Sequence, residues 1–429
     1  MIIKKKNCAH FLASALITCF VLTPTIKVPG FLGVRLDDLL AFLIIVLFLL
    51  TPSLSVNRIK LPLRGVLITF LSVLLLASIT SGSLEGLPTN IMDLTKYIWL
   101  AKMLIVYVFF FNFIHTDITD LNSIQSRRIL LINTIIRVAL ISSIICFAQY
   151  VNFMGLNAYY IPFIAPTQAT TLLGDYSTPR VVGMIGNPNA QGYILALSFL
   201  ALIYKELINH SKMNVIKGFI IFVALLMTLS RTSLVITLVG SLILILLYTK
   251  NKNFVYIKLS ILSLLSFALF SLFIFIQQNE VLYNLILWRF ESLANIMEDK
   301  SFITRFHGWV INIKFFLDNP ILGVGPIPRG TELFGTADNE WLYFARSYGA
   351  LGLIWLLLFF FGPFLVLRPK SKDEKNVRFF VFTALLMTMI YMIPAGVFTS
   401  SSLNGLLIVI LAFYDKNHCY ITNNNPEYN

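Results

Sequence analysis

Long apolar runs separated by short polar segments set the pattern of this chain. The first run follows Lys4, Lys5 and Lys6 and ends near residue 22; others lie at about 36–50, 66–79, 97–114 and 129–150. A polar interruption at 152–187, with Pro162, Pro166 and Pro179, precedes runs at 190–204, 218–229 and 234–248 and one ending near 276. A longer polar section, 277–340, comes before the last three, at 341–367, 379–394 and 403–414. Apolar runs of this kind predict membrane-crossing helices. The expected architecture is an all-α polytopic integral membrane protein, one transmembrane domain over 1–429 with about twelve spans. Its two outer polar loops would be 152–187 and the larger 277–340, the latter containing amphipathic helices. Within that larger section Phe302, Phe306, Trp309, Val310, Ile313, Phe316 and Leu317 recur at helical spacing, with Arg305, Lys314 and Asp318 largely on the other face. Such a stripe predicts a helix lying on the membrane surface or packed on the spans.

Composition supports this reading. Of 429 residues, 57% are hydrophobic and 12% charged, with a mean hydropathy of +0.81, more apolar surface than a soluble domain could hide. The net charge of +13 does not call for a nucleic-acid partner, because the basic residues collect in alternate short loops. Lys4–Lys6, Arg58/Lys60/Arg64, Arg127/Arg128, Lys205/Lys212/Lys217, Lys250/Lys252/Lys258, the cluster Arg368–Arg378 and Lys416 hold more than half of the 33 Lys and Arg. Cytoplasmic loops concentrate such charge, so both termini are expected inside and both polar sections outside. The N-terminal run resembles a signal peptide but shows no small-residue cleavage site, and reads as a first span. Four scattered cysteines without CxxC spacing and five scattered histidines point to neither a disulfide framework nor a metal site.

Ionised side chains beside so much apolar sequence require a reason. Arg35 with Asp37 and Asp38 reads as an ion pair anchoring the second span, and Arg137 as a side chain snorkelling to the cytoplasmic surface. Arg231 sits in a tight hairpin among Ser230, Thr232 and Ser233. A guanidinium with fixed donors around it suits a phosphate or pyrophosphate; an interfacial anchor is the competing reading. Arg180 precedes a turn, Gly186-Asn187-Pro188-Asn189, that can open the next helix with an Asn cap and exposed N–H groups. It is a second anion-site candidate, against an ordinary surface arginine beside a turn. Asp338-Asn339-Glu340 stands at the start of the tenth span, where simple capping competes with chemistry.

Four segments carry a resemblance. They are Arg180-x-x-Gly-x-x-x-Asn-Pro-Asn; Ser230-Arg231-Thr232; Arg305…Trp309…Asn319-Pro320-x-Leu-Gly-Val-Gly325; and Asp338-Asn339-x-x-Leu342…Gly349-x-x-Gly352. In order and placement they resemble the O-antigen polymerase and ligase family of bacterial envelopes, the Wzy-type polymerases and their ligase relatives. The resemblance implies a metal-independent glycosyltransferase of the bacterial inner membrane with no cofactor. Its substrates would be undecaprenyl-pyrophosphate-linked oligosaccharides, with a chain-length regulator as a further candidate partner beside the lipid bilayer. Arg180, Arg231 and Arg305, with Asn187, Asn189 and Asn339, would then bind pyrophosphate and sugar, and Arg231 would stabilise the leaving group. Relatives often carry His-Asn where this chain has Asp338-Asn339, so Asp338, or Glu340 in its place, becomes the candidate acceptor of the hydroxyl proton. The expected activity is polymerisation of repeat units into O-antigen, capsule or a related polysaccharide. The alternatives are ligation of finished glycan to lipid A-core or another acceptor and, from another class, a lipid-linked oligosaccharide flippase.

Overall fold

The computed structural model describes residues 2–24, 35–50, 61–87, 92–115, 121–165, 172, 180–248, 300–326 and 338–415. Its helices are α1 (Ile2–Leu22), α2 (Leu36–Leu50), α3 (Leu63–Leu84), α4 (Met92–His115), α5 (Leu121–Tyr150), α6 (Leu156–Ile164), α7 (Pro188–Ile208), α8 (Lys212–Met227), α9 (Arg231–Leu247), α10 (Lys300–Asp318), α11 (Glu340–Val366), α12 (Lys372–Tyr391) and α13 (Ser401–Leu411). They occupy the predicted runs, except that the run ending near 276 lies outside the described residues, as do 277–299 and 327–337 of the larger polar loop. Five stretches are long and apolar enough to cross a membrane: Leu63–Leu84, Thr95–His115, Ser123–Tyr150, Pro188–Ile208 and Glu340–Val366. Others are shorter: α8, of 16 residues, extends about 24 Å against a hydrocarbon core of about 30 Å. Among the described residues the fold is all-helical, that of a multi-pass membrane protein; the count of about twelve spans and the outer position of the loops are expectations of the sequence.

Local sequence sets the helix starts. Asn187 caps α7, accepting from the N–H groups of Asn189 and Ala190, and Pro188 fills the first position, where no N–H is needed. Asn339 caps α11 by accepting from Leu342 N–H, and Ser371 caps α12 through Glu374 N–H. Between helices, association in lipid depends on close fit rather than on water exclusion. Accordingly Gly240 of α9 leaves room for Met387, and Gly405 of α13 for Phe20; a Cβ at either would lie 2.3 and 2.4 Å from those side chains. Trp355 stacks on Phe344 and Phe359, with ring centroids 5.7 and 5.1 Å apart, at the centre of the aromatic packing around α11.

Two charge clusters sit inside the bundle. Arg35 pairs with Asp37 at 2.8 Å, as expected, and the cluster reaches further: Lys102 of α4 engages both Asp37 and Asp38, and Arg35 donates to the Cys19 and Phe20 carbonyls. Arg64, expected in a cytoplasmic loop, instead lies inside α3 with 0% exposure. Its Nε donates to Phe359 O at 2.9 Å, the carbonyl that Pro363, lacking an N–H, leaves unbonded within α11. It also donates to Phe360, Leu411 and Tyr414 carbonyls and pairs with Asp415 at 3.8 Å. Arg127, another residue of the expected loop set, is buried and donates to Phe113 O. These cations satisfy helix carbonyls in an apolar interior, a role that a loop count does not show. Arg137, by contrast, is exposed on α5, as a snorkelling side chain requires.

The amphipathic helix α10 packs on α11 and leaves much of its apolar stripe exposed. Phe306, Val310, Ile313 and Leu317 are exposed, while Gly308 and Asn312 are buried. These four positions of the stripe are thus exposed, as the membrane-surface reading expects, while Trp309 and Phe316 are half-buried. Beyond α10 the segment 319–326 docks on a break in α11. Gly349 has φ 64° and ψ −158°, so the helical ladder is interrupted there. The Arg346 and Ser347 carbonyls accept from Val324 and Gly325 N–H at 2.9 and 3.0 Å, and Ala350 N–H donates to Pro320 O at 2.8 Å. Backbone groups freed by the break are thus satisfied by the docked segment, as burial demands.

Candidate functional site

The polar motifs meet at one end of α7 and α9. A cleft with about 520 Å³ of empty space is lined by Arg180, Asn189, Leu229, Arg231, Thr232, Arg305, Tyr391, Pro394 and Ala395. Among the described residues, three arginines from three separated stretches of chain, and no carboxylate, line this cleft. Asn189 and Arg231–Thr232 lie in the first turns of α7 and α9, so the positive ends of two helix dipoles add to the same field. Like charges so gathered repel one another, and an anion between them removes that repulsion.

Each arginine is held differently. Arg180 donates from Nε to Thr228 O at 2.8 Å and from a terminal nitrogen to Asn189 Oδ1 at 2.6 Å, while Val181 N–H bonds Met227 O. Asn189 thus orients Arg180 as well as lining the cleft. Arg231 opens α9 two residues after Leu229, which takes a left-handed conformation at φ 50°. For a branched side chain this conformation costs about 1–2 kcal/mol, and it persists because both sides of the hairpin are tied down. The Ser230 and Ser233 hydroxyls bond each other at 2.9 Å, and Ser233 packs against Gly192 of α7. A Cβ at Gly192 would stand 2.7 Å from Ser233 Oγ and 2.9 Å from its Cβ. Gly192→Ala is therefore expected to displace the first turn of α9 and reduce activity several-fold with protein abundance unchanged. Unaltered activity in that variant would show that the hairpin position is uncritical.

Arg305, on α10, pairs through Nε with Asp338 Oδ2 at 3.5 Å, with Asp338 about half exposed. Asp338 thus stands next to an arginine of the cleft. Asn339 and Asn187 are caps, each occupied with backbone N–H groups of its own helix. Glu340 is 1% exposed and accepts from Val397 N–H, and a Cβ at Gly396 would lie 2.9 Å from its Oε2. Its carboxylate therefore holds the 394–399 turn, whose Pro394 and Ala395 form part of the cleft wall.

Sequence reasoning did not find Tyr391, Leu229 or the 394–395 wall. Leu229 is marked only by its backbone conformation, and a tyrosine at the end of an apolar helix reads as an interfacial aromatic. Arg346 also escaped notice. It is buried, donates to Pro326 O at 3.1 Å and lies over the Tyr343 ring, fastening the docked segment to α11.

Comparison with known families bears on this same stretch. Residues 218–357, about a third of the chain, match the Wzy_C family, described as O-antigen ligase. The matched stretch contains Arg231, Arg305 and Asp338, together with the glycines of the docked break, whereas Arg180 and Tyr391 lie outside it. No curated protein matches the chain. The match covers three of the four segments that carry the resemblance read from the sequence, and over residues 218–357 the chain is similar to O-antigen ligase, consistent with the O-antigen polymerase and ligase family of membrane glycosyltransferase-like enzymes.

Proposed function

We propose that the cleft binds the pyrophosphate of an undecaprenyl-linked oligosaccharide and that the protein polymerises such repeat units into a surface polysaccharide. The reaction would run at the outer face of the inner membrane, with both termini cytoplasmic. The observation that carries this reading is the convergence of Arg180, Arg231 and Arg305 on one cleft. A hydroxyl of the acceptor unit attacks the anomeric carbon of the donor, forming the new C–O bond as the anomeric carbon–phosphate oxygen bond breaks. Undecaprenyl pyrophosphate leaves with the bonding electrons, and its charge is met by the guanidiniums. The hydroxyl proton passes to Asp338, whose pairing with Arg305 holds it close to the cleft. Asn189 holds Arg180, and Asn187, Asn339 and Glu340 fix the helix ends and the turn around the site.

The family description favours a ligase as second reading, in which the acceptor is another lipid or protein. Asp338-Asn339, where ligase relatives carry His-Asn, favours the polymerase. The flippase reading rested on span number alone, and the family match gives it no support.

Arg231→Ala is expected to lower activity about 100-fold or more, the range for loss of one preorganised charge-stabilising donor. The readout is the glycan ladder of the producing cell. Loss of polymer with single repeat units still displayed supports the polymerase. Long undelivered polymer on the carrier lipid indicates the ligase, and intermediates trapped inside indicate a flippase. A normal ladder would remove the cleft as the site.

A further inference from the structure

We infer that Tyr391 is a further anion-contacting residue of this cleft, its hydroxyl donating a hydrogen bond to a phosphate oxygen held by the three arginines. The inference rests on the pyrophosphate reading above and adds a residue outside the matched family region. Tyr391 ends α12 and is 1% exposed, yet it lines the cleft with Arg180, Arg231 and Arg305. Both the Arg180 and the Arg305 guanidinium act on its phenol electrostatically.

Its ring is fixed from behind by Tyr193 of α7, with centroids 4.4 Å apart and planes 33° apart. The two tyrosines differ in what their hydroxyls do. That of Tyr193 is used within the bundle, bonding Thr388 Oγ1 at 2.7 Å. For Tyr391 no hydroxyl hydrogen bond to another residue occurs among the described residues. Buried tyrosine hydroxyls normally find a partner, and one facing three cations is suited to donate to the anion those cations collect. As a neutral donor it adds a directed bond without further positive charge. Charge-assisted bonds of this kind strengthen as the phosphate oxygen gains charge, so the effect should grow along the reaction.

The experiment is titration of the detergent-purified full chain with inorganic pyrophosphate, read by calorimetry. Wild type is expected to bind, Arg231→Ala to lose binding, Tyr391→Phe to bind about tenfold more weakly, and Tyr193→Phe to bind as wild type does. In a membrane assay, Tyr391→Phe should lower kcat more than it raises KM, a split that loosened packing would not produce. Absence of binding by wild type would overturn the pyrophosphate reading itself. Wild-type binding with an unchanged Tyr391→Phe would overturn only the role of Tyr391. If Tyr391→Phe fails to fold, 3-fluorotyrosine at position 391 keeps the hydroxyl and the stack. Its fluorine resonance must then shift with pyrophosphate, and must not shift when Arg231→Ala is combined; a fixed resonance overturns the inference.

Discussion

Gly349→Ala should deprive the protein of most of its folded yield. At φ 64° and ψ −158° this residue lies in a region essentially restricted to glycine, so any side chain is strained there. A Cβ would also stand 2.2 Å from the carbonyl oxygen of Ile321, a backbone atom that cannot rotate aside. Strain and overlap together should cost about 4 kcal/mol or more, comparable with the whole stability margin of many proteins. Gly323→Ala should behave alike, because its Cβ would meet Arg346 O at 2.4 Å from the other side of the same contact. Gly86 is the control: its φ of 77° is also positive, but nothing lies within 4 Å of its Cβ position. Gly86→Ala should therefore cost only about 1 kcal/mol. The measurement is monodisperse protein recovered in mild detergent, with thermal unfolding of what remains. Equal recovery of the Gly349 and Gly86 variants would show that the segment 319–326 does not dock on the break in α11.

Arg64→Ala carries the second large effect. The substitution removes the guanidinium that pairs with buried Asp415 and the donor that serves the carbonyl opposite Pro363. Breaking a buried pair from one side costs about 3–5 kcal/mol, so a large fall in unfolding temperature is expected. Asp415 also accepts from the hydroxyl of Tyr107 and the Arg64 N–H, so α3, α4, α11 and the end of α13 loosen together. Arg64→Met combined with Asp415→Asn should recover part of the loss, because no unpaired charge then remains in the interior. Strict additivity of the two single effects would mean that the residues do not interact. The glycan product should change only in proportion to surviving protein, since neither residue lines the cleft.

These two predictions separate what was readable in the chain from what was not. The predicted runs find their helices because an apolar stretch can lower its energy in lipid only by closing its own backbone hydrogen bonds, which is a local requirement. The caps at Asn187 and Asn339 were readable for the same reason: acceptor and donors lie within three residues of each other. Arg180, Arg231 and Arg305 stood out because charge beside so much apolar sequence demands an explanation, whereas Arg64 read as one more basic residue of a loop. Sequence position could not say that the first three share one cleft while Arg64 serves the carbonyls of Phe359 and Leu411, 295 and 347 residues away. The stripe of α10 was legible as a pattern, but which of its residues stay exposed depends on how α10 packs on α11.

By itself the sequence determined a helical membrane protein, the positions of most of its helices and the charged residues that required explanation. Only the tertiary structure decided which of those charges share a cleft and which satisfy the interior, that Gly323 and Gly349 join a docked segment to a broken helix, and that Tyr391 stands among the arginines. The physical reason is the difference in range. Burial and capping act within a few residues, whereas the pairing of helices in lipid is selected by steric fit between side chains far apart in the chain.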